Sequence, residues 1–224
     1  MTELILAVDT THEVGSLALL RGQDLIEEVW LHSPEGFGPI LFGRLEELLA
    51  RHAVKLVDVD LFAAASGPGS FTGVRIGLAA IKGLAEATAK PAIPVSNLAA
   101  IAQYGSASLR AVVLDARRGE VYGAVYDSGG RLVGAETVMP FPEWLRSLPE
   151  VSLEFVALDF SPFAAALEGT RFAGAAVTTA PRALASAVGR IAGERWRAGE
   201  VGDSAGIEAN YVRRSDAELF WREY

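Results

Sequence analysis

Apolar residues run unbroken from Leu4 to Val8 and stop at Asp9. After a short polar turn the pattern repeats over Ser16 to Leu20. Gly22 marks the next turn, and Leu25 to Leu31 predicts a third strand, so the chain opens as an antiparallel meander. The period then changes. Leu41, Leu45, Leu48 and Leu49 recur at helical spacing in a helix of roughly Gly38 to His52, with Glu46 and Glu47 off the stripe. Leu61 to Ala65 predicts a buried strand that leads through Ser66–Gly73 into a second helix, Val74 to Ala89. Pro91 and Pro94 end that segment, Ile93 to Val95 is a short strand, and Asn97 to Tyr104 is helical.

The pattern then restarts. Ala111 to Leu114 runs into Asp115, and a turn leads to the strand Tyr122–Tyr126. Asp115 lies 106 residues after Asp9, about half the chain. Such self-similarity points to a duplicated unit. Farther on the sequence predicts a strand over Arg131–Val138, a short helix over Phe141–Leu148, a strand over Phe155–Leu158, a short helix over Phe163–Leu167 and a long alanine-rich helix over Arg182–Ala198. The expected fold is α/β, with two related domains of the actin-like ATPase (ASKHA, ribonuclease H-like) type, the second reduced. The boundary falls between residues 1–106 and 107–224.

Composition narrows the chemistry. Half of the 224 residues are apolar, which fits an ordered protein with a full core. There is no cysteine, so disulfides, zinc–cysteine sites and a cysteine nucleophile are excluded. Met1 to Thr11 carries Glu3 and Asp9 without a basic flank, unlike a signal peptide, and no apolar run approaches the roughly 20 residues of a membrane span. A cytoplasmic protein without membrane contact is expected. The net charge is −8, and the basic pairs Arg117-Arg118 and Arg213-Arg214 each adjoin an acidic residue. Binding of an RNA backbone by this chain alone is therefore disfavoured, although a small patch could contribute within a complex.

The most specific segment is Ser66-Gly-Pro-Gly-Ser-Phe-Thr-Gly-Val-Arg-Ile-Gly77. Pro68 and Gly69 permit a tight turn, and Ser70 or Thr72 can cap the helix that follows. Its free amides could hold an anion, or the segment could serve backbone geometry alone. No Gly-Lys-Ser/Thr follows the glycines, so it is not a Walker loop. Elsewhere the chemistry is thin. His12, His32 and His52 are not at the spacing that presents a pair to a metal. Asp9 sits where ATPases of this architecture keep a metal-organising carboxylate. Thr10, Thr11, His12, Glu13 and Val14 follow it in place of a glycine-rich phosphate turn, which makes Asp9 a capping or vestigial residue. Asp115 reads equally as a turn residue bonding local amides.

The segment Gly67, Pro68, Gly69, Ser70, Phe71, Thr72, Gly73, Val74, Arg75, Ile76, Gly77 resembles the signature of the TsaB (YeaZ-type) family. Leu6–Thr11, Leu114–Tyr122 and Asn210–Arg214 resemble three further family stretches, so the likeness runs nearly end to end and is thin over residues 140–200. One stretch departs. The family often shows His-Ser-Glu six residues before the helix-entry proline, whereas here that count from Pro39 reaches Ser33, with His32 one residue off. The resemblance implies a non-catalytic scaffold or activator subunit in the formation of N6-threonylcarbamoyladenosine at position 37 of tRNAs that decode ANN codons. Its implied partners are a TsaD-type catalytic subunit and a TsaE-type ATPase, with tRNA met indirectly through the complex. ATP and metal would then belong to the partners, and this chain would hold no cofactor and no metal. An independent nucleotide-binding ATPase or kinase, or a metallo-glycopeptidase, are the rival readings.

Gly69, Gly73 and Gly77, spaced by four, share one helix face with Ala80 and Leu84. Small residues let another backbone approach, either the chain's own sheet or a partner helix. The resemblance implies pairing through the helices of the first domain. The expected partner-binding residues are therefore Leu41, Leu45 and Leu48 on the first helix and Gly73, Gly77, Ala80 and Leu84 on the second, a surface that could also form a homodimer.

Overall fold

The computed structural model describes residues 2–202 and 206–212. Its first sheet contains β1 (Leu4–Asp9), β2 (Gly15–Arg21), β3 (Asp24–Leu31), β4 (Leu61–Ala65) and β5 (Ala92–Val95) in the order β3-β2-β1-β4-β5. The β1–β2–β3 meander is antiparallel, and β4 and β5 join it in parallel. α1 (Leu41–Arg51) connects β3 to β4, α2 (Phe71–Thr88) connects β4 to β5, and α3 (Asn97–Ala102) follows. The second sheet contains β6 (Leu109–Asp115), β7 (Glu120–Asp127), β8 (Thr137–Pro140), β9 (Glu154–Ala157) and β10 (Val177–Thr179), with α4 (Phe141–Ser147) before β9. Counted from β8, its order β8-β7-β6-β9-β10 repeats that of the first sheet. The 106-residue offset thus marks two copies of one topology. The second copy is reduced, because a 3-10 turn at Ala164–Leu167 stands where the first has the 18 residues of α2.

β1 and β4 are buried along their whole length, which explains their unbroken apolar runs. Successive residues alternate between two covered faces. Leu4, Leu6, Val8, Phe62 and Ala64 join the cluster under α1 and α2. The opposite face meets α5 (Ala185–Arg197), whose Gly189 lies against Ala7 and Leu20 and whose Gly193 lies against Ile5. Contacts therefore group Pro181–Ala209 with Met1–Ala100 as one unit. Ile101–Ala180, with the described residues from Asn210, forms the other. The sequence reading, by contrast, runs the second domain unbroken from residue 107. It foresees the helix but, without spacing that names a partner sheet, leaves it where the chain order puts it.

The second unit has its own core, in which Phe141, Trp144, Phe155, Phe160, Phe163 and Phe172 stack on one another. Gly123 leaves room for the Trp144 indole. The strand foreseen over Arg131–Val138 is present only as Thr137–Pro140. Gly134, at φ +91°, interrupts the segment, and Leu132 makes an isolated bridge to Tyr126. β10, three residues long, carries too little pattern to be read from sequence. Asn210 donates through Nδ2 to Glu136 Oε2 at 2.6 Å, while Arg213 and Arg214 lie outside the described residues. No described helix is long and apolar enough to cross a membrane.

Candidate functional site: the signature turn and the outer helix faces

The signature turn is stitched to the chain that leaves β1. Ser70 caps α2 by accepting from the Gly73 amide at 3.3 Å, as its position suggests. The Ser70 amide donates to the Thr11 carbonyl at 2.7 Å. Thr10 Oγ1 donates to the Gly73 carbonyl at 2.7 Å. Fully buried Asn97, at the start of α3, accepts from the Gly67 amide at 2.9 Å through Oδ1 and donates through Nδ2 to Thr11 Oγ1 at 2.6 Å. The glycines make these approaches feasible. A Cβ on Gly69 would stand 2.6 Å from the Thr11 carbonyl oxygen, and one on Gly73 would overlap that of Thr10.

Asp9 is fully buried and turns inward. Its Oδ1 accepts from the Thr11 amide at 2.9 Å and from Thr11 Oγ1 at 2.6 Å. That is the local capping role. Asp115 does the same for the Arg117 amide at 2.8 Å. Thr11 Oγ1 spends its only proton on Asp9 and accepts from Asn97. His12 Nδ1, 2.9 Å from Thr11 Oγ1, must therefore be a donor. Burial pushes His12 below its usual value, against the raising effect of the Asp9 and Glu13 carboxylates. Neutral His12 then presents a bare, enclosed Nε2, which like Asp9 Oδ2 has no hydrogen-bond partner among the described residues.

At the N-terminus of α2, the anion site considered from sequence, the Ser70 hydroxyl takes the Gly73 amide and the Thr11 carbonyl takes the Ser70 amide. Among the described residues no three His, Asp or Glu side chains gather to hold a metal.

The expected docking residues require correction. Leu41, Leu45 and Leu48 are buried in the chain's own core, together with Leu78, Ile81 and Ala85. Gly77 faces β1, where a Cβ would stand 2.6 Å from Thr10 Oγ1 and 3.7 Å from Val8 Cγ1. Gly73 and Ala80 are buried and Leu84 is half-buried against the same cluster. The small face of α2 is small because its own β1 lies against it.

What α1 and α2 turn outward is different. Phe42 is 56% exposed, and Gly43 beside it has nothing within 4 Å of a Cβ position. On α2, Phe71 is 43% exposed with the Arg75 guanidinium 3.7 Å from its ring centroid, and Gly83 also faces open space. Thr72 is exposed beside Phe71. The sequence reading passed over Phe42, which stands off the leucine stripe. An aromatic on the polar side of an amphipathic helix was the available signal.

Comparison with known proteins bears on this arrangement. The model of the family TsaD, tRNA N6-adenosine threonylcarbamoyltransferase, matches residues 40–188. The Bacillus subtilis tRNA threonylcarbamoyladenosine biosynthesis protein TsaB is 32% identical over 98% of this chain and 98% of its own. YeaZ from Pseudomonas aeruginosa superposes with a TM-score of 0.79 at 28% identity, over 93% of this chain and 99% of that one. Component A of the Acidaminococcus fermentans (R)-2-hydroxyglutaryl-CoA dehydratase shares the fold at a TM-score of 0.54 and 11% identity, over 86% of this chain and 98% of that one. The architecture is that of the two-domain actin-like ATPases.

Proposed function

The chain belongs to the TsaB (YeaZ-type) family, and from that premise we propose that it serves tRNA threonylcarbamoyladenosine biosynthesis as a non-catalytic scaffold subunit. It docks a TsaD-type catalytic partner on the outer faces of α1 and α2. A TsaE-type ATPase completes the assembly, and ATP and metal belong to those partners. The turn beside Asp9 supports this division of labour, since the Thr11 carbonyl and the Ser70 hydroxyl already take the Ser70 and Gly73 amides that an anion would use.

One observation carries the docking surface. Gly43 and Gly83 sit inside helices, where glycine costs about 1 kcal/mol relative to alanine, yet neither has a neighbour that requires it. Close approach by another helix gives each a reason. Phe42, next to Gly43, and Phe71, at the start of α2, are exposed anchors on the same two helices, and the Arg75 side chain stiffens Phe71 from above. A second copy of the chain can use the same faces, so homodimer and hetero-complex exclude one another.

The test is co-purification with the TsaD-type subunit of the same cell, comparing the native chain with Gly83→Arg and Phe42→Glu. Both positions are solvent-facing, so melting should stay within a few degrees of native while partner retention falls at least tenfold. Full retention by both folded variants would refute the surface.

A further inference from the structure

β1 ends on a carboxylate that water does not reach. Asp9, Thr10 and Thr11 are all buried, so the turn that leaves β1 must satisfy its polar groups within the chain. Asp9 Oδ1 accepts from the amide and from the hydroxyl of Thr11, and Asn97 Nδ2 donates to the same hydroxyl at 2.6 Å. Bonds from both sides leave the branched Thr11 side chain a single orientation. The bond from its amide fixes the Thr11 backbone as well. Asp9 Oδ2 has no hydrogen-bond partner among the described residues, so Oδ1 alone is engaged.

The two residues after Asp9 in turn hold the first turn of α2. The Thr11 carbonyl accepts from the Ser70 amide at 2.7 Å, and Thr10 Oγ1 donates to the Gly73 carbonyl at 2.7 Å. These two bonds bracket Phe71 and Thr72, both of which are exposed. The approach is close on either side, since a Cβ on Gly69 or Gly73 would collide with the Thr11 or the Thr10 carbonyl oxygen. The place of Phe71 on the surface is thus set by Thr10 and Thr11, and theirs by Asp9.

We infer that Asp9 is a positioning residue for the partner surface: through Thr11 and Ser70 it fixes where Phe71 meets the TsaD-type subunit. The inference rests on the proposed docking face of α2. Asp9 acts here as an acceptor of two hydrogen bonds and not as a charge. The oxygen of an amide side chain accepts in the same way. Asp9→Asn therefore keeps what positioning needs and removes the charge that a metal-organising carboxylate would need.

The chain has no cysteine, so one nitroxide label can be placed beside Phe71 through Thr72→Cys, with exposed Glu46→Cys on α1 as the control. Spin-label spectra of the full chain alone read the order of the turn with no partner present. Asp9→Ala should raise the mobility of the label at position 72 and leave that at position 46 unchanged, while Asp9→Asn leaves both as they were. Thr11→Val keeps the shape of the side chain and loses the hydroxyl, and it makes the same comparison where Asp9→Ala does not fold. Calorimetry with the purified TsaD-type subunit, on unlabelled folded chains, completes the test. Phe71→Ala should weaken binding about tenfold. Asp9→Ala should weaken it similarly, and the two together no further, because independent effects would multiply. An unmoved label at position 72 in both Asp9→Ala and Thr11→Val overturns the inference whatever the partner does. An Asp9→Asn chain as impaired as Asp9→Ala also overturns it, by assigning the effect to the charge. So do multiplicative losses, and so does full binding by Asp9→Ala where Phe71→Ala binds weakly. A label loosened as expected, with full binding by Phe71→Ala, would place the fault in the proposed docking face and overturn the inference along with it.

Discussion

Two glycines on α2 should respond in opposite directions to one substitution. Gly77→Ala puts a Cβ 2.6 Å from Thr10 Oγ1, in a gap bounded by Val8. Thr10 is a branched side chain fixed by its bond to the Gly73 carbonyl, so the clash is not relieved by a rotamer change alone. Overpacking of this kind costs about 1–3 kcal/mol, and disturbing the hydrogen bond adds about 1 kcal/mol. The gain in helix propensity returns about 1 kcal/mol. The net is a loss of about 1–3 kcal/mol, or several degrees of melting temperature. Gly83→Ala has nothing within 4 Å and keeps only the propensity term. It should stabilise the chain by about 0.5–1 kcal/mol. Urea denaturation followed by circular dichroism at fixed pH reads both. A neutral or stabilising Gly77→Ala would refute the close packing of α2 on β1. A destabilising Gly83→Ala would mean that the outer face of α2 is covered within the chain.

Asn97→Ala leaves the Gly67 amide and Thr11 hydroxyl without their partner in a buried site, so urea denaturation should show a loss of about 2–5 kcal/mol. Hydrogen bonds from Arg51 and His52 hold Glu27 below its ordinary carboxylate value. Its contribution is therefore complete above about pH 4.5 and is lost as pH falls through the lowered folded value, so Glu27→Gln should flatten the acid limb of a plot of urea midpoint against pH. Burial lowers His12 in the folded state, so the stability linked to it is complete above about pH 6.5 and falls as pH drops toward the folded value. A proton-detected histidine titration giving His12 a value at or above 6.5 would contradict this.

The strands of the first sheet, its two long helices and the duplication were legible because each rests on a short-range pattern. β1 and β4 are continuous apolar runs, α1 has a leucine stripe, and the Asp9 and Asp115 turns repeat at a fixed offset. The docking residues were misread for a long-range reason. Gly73 and Gly77 do share a face, but spacing states only that the face is small and not what lies against it. Thr10 fills the gap from 63 residues away from Gly73 along the chain. The arginines of the β6–β7 turn were visible as a charged pair, yet their backbone conformation was not, because nothing in Ala-Arg-Arg-Gly dictates positive φ at both arginines.

The return of α5 to the first sheet gives synthesis an order. Until Pro181–Ala209 emerges from the ribosome, Ile5, Ala7 and Leu20 have no cover from that helix. The main segment of the second unit, Ile101–Ala180, carries its own aromatic core and lies between the two pieces of the first in the chain. At about 5–20 residues per second, several seconds pass between the first sheet and its lid. The inserted unit can complete its core during that interval, while the older half waits with one greasy face open. A chain stopped near residue 106 would keep that face exposed permanently. It should be a substrate for chaperones and proteases rather than a smaller working version of the protein.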